Sequence, residues 1–479
     1  MALASARMAF ILVALATASS IAVSTHAAPG STPGAASLLP ESALAAARAV
    51  RERGLADDLA YETLRSLTTQ VGPRSAGSEG DRRAVAWGVE RLKALGYSNV
   101  RAEPVKVPHW VRGSAHAEIV GPWAQPMVAA ALGGSVATPA EGLEAEVLAV
   151  ASLEELKTIR PELVRGRIVF FHGRMERSRD LSGYTKAVAA RGRGAIEAAK
   201  LGAIGVVIRS VGTSNDRLAH TGAMRYDPEV TRVPALALSN PDADLLERQL
   251  ANGGPVRVRM RNDSSWADSA WSANVVGDLP GASLPRELVL LGAHLDSWDL
   301  GQGAHDDGAG CATMIAAAKL AASATPRPAR TIRVVLFANE EFGLSGAREY
   351  VRAHAAELPS HVMGMESDLG AFRVWGMSAW FAPEMRPLAD AMQSVLAPFS
   401  VTYLGNEATG DADVGQLKAK GIPVVDVMTE AAPYFELHHT ANDTFDKVDP
   451  LLLRQNVATY AALAYLAAQA HWVPRLTTP

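Results

Sequence analysis

One stretch of the sequence, residues 287–313 (ELVLLGAHLDSWDLGQGAHDDGAGCAT), constrains the fold more than any other. It begins with an apolar run that is typical of a buried strand. His294 and Asp296 follow this strand directly, and a glycine-rich loop then brings the acidic pair Asp306–Asp307 before an apolar helix. A strand, a polar loop and a helix are the unit with which α/β sheets present ligands at the carboxyl ends of their strands.

The next two predicted strands end in the same way. Residues 331–338 (TIRVVLFA) are apolar and are followed by Asn339 and the pair Glu340–Glu341. A shorter strand near residues 362–365 leads into Asp368. Three successive strands that end in acids or histidine are not expected from random placement of charge. We therefore expect these side chains to meet at one edge of a sheet.

A fourth strand is predicted over residues 423–428, and the loop after it carries His438 and His439. The chain then closes with a long helix over residues 451–470, which Asp449 can cap. The alternation of strands and helices predicts an α/β fold, with a mostly parallel mixed sheet covered by helices.

The middle of the chain has a different sequence pattern. Residues 121–265 contain further short strands and helices, but no cluster of histidines and acids near strand ends. This block is predicted to be a smaller α/β domain inserted between two parts of a catalytic domain, residues 28–120 and 266–479. The polar segment 261–272 is interpreted as the linker that returns to the catalytic domain.

The N-terminus is predicted to be a signal peptide over residues 1–27. It combines Arg7, an apolar run and the small-residue motif Thr25–Ala27. A retained membrane anchor is the alternative. No other apolar stretch is long enough to cross a bilayer, so we expect no stable membrane insertion after signal removal. The mature protein is expected to be exported, either periplasmic or secreted.

Charge and cysteine content exclude two kinds of partner. The formal net charge is −4, which provides no basic field, so we expect no binding to nucleic acid. Cys311 is the only cysteine, which rules out intrachain disulfides and cysteine-based zinc motifs. An exported protein without disulfides fits a bacterial periplasm or medium.

The polar side chains at the strand ends suit a metal site, because zinc takes histidine nitrogen and carboxylate oxygen. The candidate ligands are His294, Asp306, Glu341, Asp368 and one of His438 or His439. This set is too large for one ion, whereas two Zn²⁺ per chain that share a bridging carboxylate would use it fully. Such sites hydrolyse peptides, although two-metal sites also serve phosphatases.

Two acids in the same region have other predicted roles. Glu340 lies beside Glu341 just after a strand, so one can bind metal while the other faces the attacking water. Glu340 is therefore the predicted general base and acid. Asp296 is two residues after His294 and could hold its imidazole N–H.

The order of these motifs resembles the co-catalytic zinc aminopeptidase and carboxypeptidase family, most closely its carboxypeptidase Q branch. The matching motifs are His294-x-Asp, Asp306-Asp-Gly, Glu340-Glu, Ser367-Asp and His439-Thr-x-x-Asp-Thr. The inserted block resembles the protease-associated domain of that family. The resemblance covers nearly all of the mature chain and is most specific around the candidate metal ligands.

The resemblance implies an assignment of residues to two zinc ions. One ion would bind His294, Asp306 and Asp368, and the other would bind Asp306, Glu341 and His439. Glu340 would be the base and Asp296 would support His294. The resemblance also implies a cis peptide between Asp306 and Asp307, and a further acid near the site at Asp413. His438 and His305 are expected to support ligands, and His305 departs from the family pattern.

The activity that the resemblance implies is exopeptidase hydrolysis of dipeptides or short peptides with a free amino terminus. A homodimer is possible. Two other classes resemble parts of this pattern. One is a non-catalytic receptor-like relative without a working metal site, and the other is a single-zinc acyltransferase similar to glutaminyl cyclase. The complete ligand set argues against both.

Overall fold

The structure is a computed structural model that describes residues 38–472, so the predicted signal peptide lies outside the described residues. Its strands form two eight-stranded sheets. In chain order, the strands are β1 (Ser98–Val111), β2 (Ala115–Gly121), β3 (Gln125–Met127), β4 (Ala129–Ala131), β5 (Leu143–Val150), β6 (Ile168–Phe171), β7 (Gly205–Arg209), β8 (Ala235–Leu238), β9 (Arg257–Asn262), β10 (Ser265–Leu279), β11 (Leu284–His294), β12 (Arg330–Phe337), β13 (His361–Glu366), β14 (Val374–Trp380), β15 (Thr402–Tyr403) and β16 (Val424–Thr429).

The α-helices of the described residues lie between and around these strands. In chain order, they are α1 (Glu41–Gly54), α2 (Leu59–Gln70), α3 (Glu79–Ala94), α4 (Leu153–Thr158), α5 (Pro161–Val164), α6 (Ser182–Lys200), α7 (Asn240–Ala251), α8 (Ala309–Ala322), α9 (Ser345–Ala353), α10 (Arg386–Leu396), α11 (Gly415–Lys418), α12 (Ala431–Leu437) and α13 (Pro450–Gln469).

The first sheet has the strand order β1-β10-β12-β11-β13-β16-β14-β15. Its centre is parallel, from β12 through β11 and β13 to β16, and antiparallel pairs flank this centre. The register aligns His294 with Phe337, and Gly292 with Glu366. The three central strands therefore end at the same edge, which confirms the predicted fold class and brings the polar residues after them together.

Helix α8 shows why this sheet needs helices on its faces. The helix is rich in alanine and is buried over nearly its whole length, together with much of α13. A helix that is apolar all round is stable only inside a protein, and its small side chains allow close approach to the strands. Cys311 is fully buried in this helix, in agreement with a packing role.

The second sheet has the strand order β3-β2-β9-β5-β6-β7-β8-β4 and takes all its strands from residues 115–262. Strand β2, which we assigned to the first catalytic segment, pairs with β3 and β9 of this second sheet. The second sheet has its own buried cores, built from residues such as Phe170 and Val206. The assignment of the block as a protease-associated domain stays a prediction.

The expectation of a linker over residues 261–272 is wrong. These residues complete β9 and begin β10. Strand β10 is 15 residues long and pairs with β1, from Ser98 opposite Asp278 to Val111 opposite Ser265. The first residues of β10 are mostly exposed, and only its second half enters the core. The polar composition reflects this exposure, because backbone pairing with β1 stabilises a strand that buries few side chains there.

No helix in residues 38–472 combines the length and apolar character needed to cross a bilayer.

A charged cluster beside the first sheet predicts a pH-dependent contribution to stability. His354 lies just after α9, with Nδ1 2.8 Å from Glu357 and Nε2 3.0 Å from Glu103. Hydrogen bonds to these two carboxylates raise the pKa of His354 to about 9, from an ordinary value of 6.5. The stabilisation of the folded state by these hydrogen bonds of His354 is therefore complete below pH 6.5. It is lost as the pH rises through about 9.

We expect His354→Gln to lower the free energy of unfolding by about 1 kcal/mol at pH 6, after allowance for solvent screening. The difference from the unsubstituted protein should shrink by pH 9.5, where His354 is mostly neutral in the folded state and neutral in the unfolded state. Urea unfolding at the two pH values measures this difference in the free energy of unfolding. The control is His116→Gln, because His116 is exposed. An equal loss at both pH values would show that charge is not the cause.

Candidate active site

Five predicted site residues line a cleft of about 660 Å³ between the two sheets: Asp306, Glu340, Glu341, Asp368 and His439. His294 is the last residue of β11, and Glu340–Glu341 and Asp368 follow β12 and β13. The cleft wall includes Asp306, Glu340, Glu341 and Asp368 from the first sheet and residues from the block that forms the second. A deep cleft with converging polar groups is the usual form of a small-molecule site.

His294, Asp306 and Asp368 form a first group. The Nε2 atom of His294 lies 3.1 Å from Oδ1 of Asp306 and 3.1 Å from Oδ1 of Asp368. On the other side of the ring, Nδ1 lies 3.0 Å from the main-chain oxygen of Asp296. A carbonyl oxygen only accepts, so Nδ1 carries a hydrogen and Nε2 is the ring nitrogen that faces the two carboxylates.

Asp306, Glu341 and His439 form a second group. The Nε2 atom of His439 lies 3.1 Å from Oδ2 of Asp306 and 3.2 Å from Oε2 of Glu341. Its Nδ1 lies 3.3 Å from the main-chain oxygen of Thr221, which sets the same tautomer as in His294. In each group the donor atoms lie within 4.8 Å of one another.

Asp306 belongs to both groups and uses a different carboxylate oxygen in each. Its backbone N–H, like that of His305, donates to the carboxylate of Asp443, which braces the loop. The peptide between Asp306 and Asp307 is cis, as the resemblance implied. Asp307 itself faces away from the cleft, where it accepts from the backbone N–H groups of His294 and Gly310.

Asp296 does not hold His294 in the way that we expected. Its carboxylate is 3.8 Å from Nδ1 of the imidazole, and the main-chain oxygen makes the contact instead. The carboxylate accepts from the backbone N–H groups of Glu340 (3.0 Å) and Glu341 (3.4 Å). Asp296 therefore fixes the turn that sends these two neighbouring side chains in different directions.

Glu340 and Glu341 have separate surroundings. Glu341 contacts His439 and accepts from the indole N–H of Trp298, whereas the carboxylate of Glu340 makes no hydrogen bond within residues 38–472. Desolvation raises the pKa of Glu340 well above its ordinary range, and Asp368 and Glu341 add to this while His294 opposes it. A partly free carboxylate with a raised pKa can take up and return a proton.

The side chains of His438 and His439 lie side by side. Their rings stack with centroids 3.5 Å apart, because the segment is the turn at the end of α12 and His439 has a φ of 60°. His439 is nearer to Oδ2 of Asp306, at 3.1 Å against 3.7 Å for His438. The Nδ1 atom of His438 lies 2.9 Å from Nε2 of His220.

Several residues of the second-sheet block at this cleft were missed. His220, Thr221, Tyr184 and Arg191 lie at or beside the histidine pair. His220 even forms a third cluster with His438 and His439. None of these residues belongs to a sequence motif that could have pointed to it.

Two residues that the sequence placed near the metals are outside both groups. His305 stacks on Phe372 with centroids 4.6 Å apart, and burial lowers its pKa to about 4, so it is neutral. Asp413 is fully buried, and both its carboxylate oxygens lack hydrogen-bond partners in the described residues. Burial raises its pKa well above the ordinary range.

The comparisons with known proteins agree with this geometry. The model of peptidase family M28 matches residues 274–464, which include every residue of the two groups. Bovine carboxypeptidase Q is 35% identical over 415 residues, which are 87% of this chain and 86% of the relative. The chain belongs to peptidase family M28. It is therefore a metallopeptidase, and thus a hydrolase.

Solved structures extend the likeness to the whole fold. An M28 peptidase precursor from Shewanella amazonensis SB2B is 43% identical, with a TM-score of 0.89 over 92% of this chain and 99% of that one. A zinc aminopeptidase from Bacillus subtilis, 18% identical, has a TM-score of 0.62 over 85% of this chain and 94% of that one. The second likeness concerns the fold alone.

Proposed function

We propose that this M28 peptidase is a di-zinc exopeptidase that hydrolyses dipeptides or short peptides with a free amino terminus. The observation that carries the proposal is the position of Asp306. Its two carboxylate oxygens face two separate groups, one completed by His294 and Asp368 and the other by Glu341 and His439. A carboxylate that faces two ligand groups suits two ions that share one bridging ligand.

The donor set fits zinc. Each group offers one histidine nitrogen and two carboxylates, and catalytic zinc sites typically use three protein ligands and keep one position open. Among residues 38–472, the buried atoms Oδ2 of Asp306 and Oε1 of Glu341 have no hydrogen-bond partner, so they are available to cations. The name of the relative carboxypeptidase Q supports an exopeptidase activity.

When bound, the two zinc ions would polarise the scissile carbonyl and lower the pKa of a water. Glu340 would accept the proton of that water at its carboxylate and deliver it to the leaving amine. Asp296 holds the backbone of Glu340 and so aims this carboxylate at the cleft. The carbonyl contacts of His294 and His439 hold a hydrogen on Nδ1, so Nε2 is the ring nitrogen that each would offer to a metal ion.

The remaining assignments complete the proposal. We assign residues 121–265 as a protease-associated domain, whose residues Tyr184 and His220 close the cleft from the opposite side. Peptide is the substrate, and the protein acts after export to the periplasm or the medium. It is expected to form a homodimer.

One experiment tests both parts of the proposal. The purified protein, stripped with a chelator and then titrated with zinc, should recover peptide hydrolysis fully at two ions per chain. The same reloaded protein should cleave a free peptide about 10- to 100-fold faster than its N-acetylated form, the usual cost of a lost charged contact. Equal cleavage of both peptides would contradict exopeptidase action, and full activity with one ion would contradict the metal count.

A further inference from the structure

His220 is a buried polar residue of the second-sheet block that lies against the histidine pair of the cleft. Only 1% of its surface is exposed. Its Nε2 atom lies 2.9 Å from Nδ1 of His438, so one of these two ring nitrogens donates a hydrogen bond to the other. Within residues 38–472 the other ring nitrogen of His220, Nδ1, has no hydrogen-bond partner.

The burial of this imidazole has a cost. A polar group that moves from water into a protein interior lowers stability unless all its hydrogen bonds are replaced. An apolar ring of similar size would fill the same space without that cost. The imidazole at position 220 therefore indicates that its hydrogen bond to His438 serves the neighbouring candidate ligand.

Thr221, the next residue, contacts the histidine pair through its backbone. Its N–H donates to the main-chain oxygen of His439 at 3.0 Å, and its own main-chain oxygen lies 3.3 Å from Nδ1 of His439. The rings of His438 and His439 stack with centroids 3.5 Å apart. Two adjacent residues of the second-sheet block therefore hold both rings of the pair.

Helix α12, which leads to the histidine pair, is also held by the second-sheet block. The main-chain oxygen of Phe435 accepts from the N–H of Thr213 at 3.1 Å, and the Phe435 ring stacks on Tyr184 with centroids 4.6 Å apart. At the start of α12, the N–H of Ala431 donates to the main-chain oxygen of Arg179 at 3.0 Å. The path of the chain to the pair is therefore set by contacts across the cleft.

The first group of candidate ligands is held differently. His294 ends β11 and is fixed through Nδ1 by the main-chain oxygen of Asp296, and Asp368 follows β13. These contacts come from the part of the chain that forms the first sheet. Among the candidate ligands in residues 38–472, His439 alone hydrogen-bonds to the second-sheet block.

We propose that His220 is a positioning residue that makes zinc binding at the second group depend on the second-sheet block. The inference rests on the proposed di-zinc function and deepens it, because it assigns a role to the inserted block. His220 orients His438, and the stacked ring of His438 limits the rotation of His439. Loss of a partner behind a metal ligand typically costs about 10- to 100-fold in metal affinity.

The test measures the stepwise zinc affinities of the full-length, metal-free protein by competition with a chromophoric chelator. His220→Phe keeps a ring of similar size but removes the hydrogen bond to His438. We expect it to weaken one binding step by about 10- to 100-fold and to leave the other unchanged. His439→Ala, which lacks a ligand of the second group, identifies the weakened step as the one that belongs to that group.

Two further variants separate the hydrogen bond from a general effect on folding. The side-chain amide of His220→Gln can donate to His438 or accept from it in place of Nε2, so this variant should recover most of the lost zinc affinity. His116→Phe is the matched control, because His116 is exposed on β2 of the second sheet. This variant should bind both zinc ions as the unsubstituted protein does.

Four outcomes would overturn the assignment. Two bound ions with unchanged affinities in His220→Phe would refute the role of His220 and leave the di-zinc function intact. An equal loss at both steps would show a general effect on the fold. Three ions in the unsubstituted protein, with one lost in His220→Phe, would make His220 a ligand, since it forms a cluster with His438 and His439. A single ion in the unsubstituted protein would refute the di-zinc function and this inference together.

Discussion

Glu340→Gln is expected to lower kcat by about 10²–10⁴, the usual cost of losing a general base. The glutamine keeps the shape of the side chain but cannot take a proton from water. Metal content should not change, because Glu340 belongs to neither group of candidate ligands. Single-turnover kinetics and elemental analysis of the same preparation measure both effects.

Glu349→Gln is a suitable control for this substitution. Glu349 is on α9, where it pairs with Arg352 at the surface, and its loss should leave kcat unchanged. A Glu340→Gln protein that holds two zinc ions and turns over at a near-normal rate would refute the assignment of the base. Loss of zinc in that variant would instead place Glu340 among the ligands.

The first sheet and most of its site could be predicted because the informative residues are close in sequence to strand ends. His294 ends β11, and Glu340–Glu341 and Asp368 follow their strands within a few residues. Apolar strands of a parallel sheet share one edge, so local patterns were enough to bring these groups together. The division of Glu340 and Glu341 between two environments also followed from their adjacency.

The rest depended on contacts that no local pattern encodes. Tyr184, Arg191 and His220 reach the cleft only because the second sheet is positioned across it, and that arrangement is set by packing between distant segments. Strand β10 was mistaken for a linker because its exposed half lacks apolar alternation. For Asp296 the spacing was right, but its carboxylate points to the backbone of Glu340 and Glu341 instead of to His294, because a turn sets that direction.

The two neighbouring histidines provide the second large expected effect. Their rings stack on each other, but only His439 contacts both Asp306 and Glu341. Thr221 accepts the Nδ1 hydrogen of His439, so its Nε2 faces these acids. His439→Ala should therefore lose one zinc ion and nearly all activity. Removal of one ligand from a three-ligand site leaves too few donors to retain a catalytic ion.

His438→Ala is the matched comparison and should behave differently. His438 is 3.7 Å from Asp306, and its Nδ1 is engaged by His220, so it supports the site without completing either group. We expect this variant to keep two zinc ions and to lose about 10- to 100-fold in activity, as substitutions behind metal ligands do. Zinc analysis of the two purified variants decides between them. A single zinc ion in His438→Ala, with two in His439→Ala, would show that His438 is the ligand. The contact from His220 would then be the one that orients this ligand.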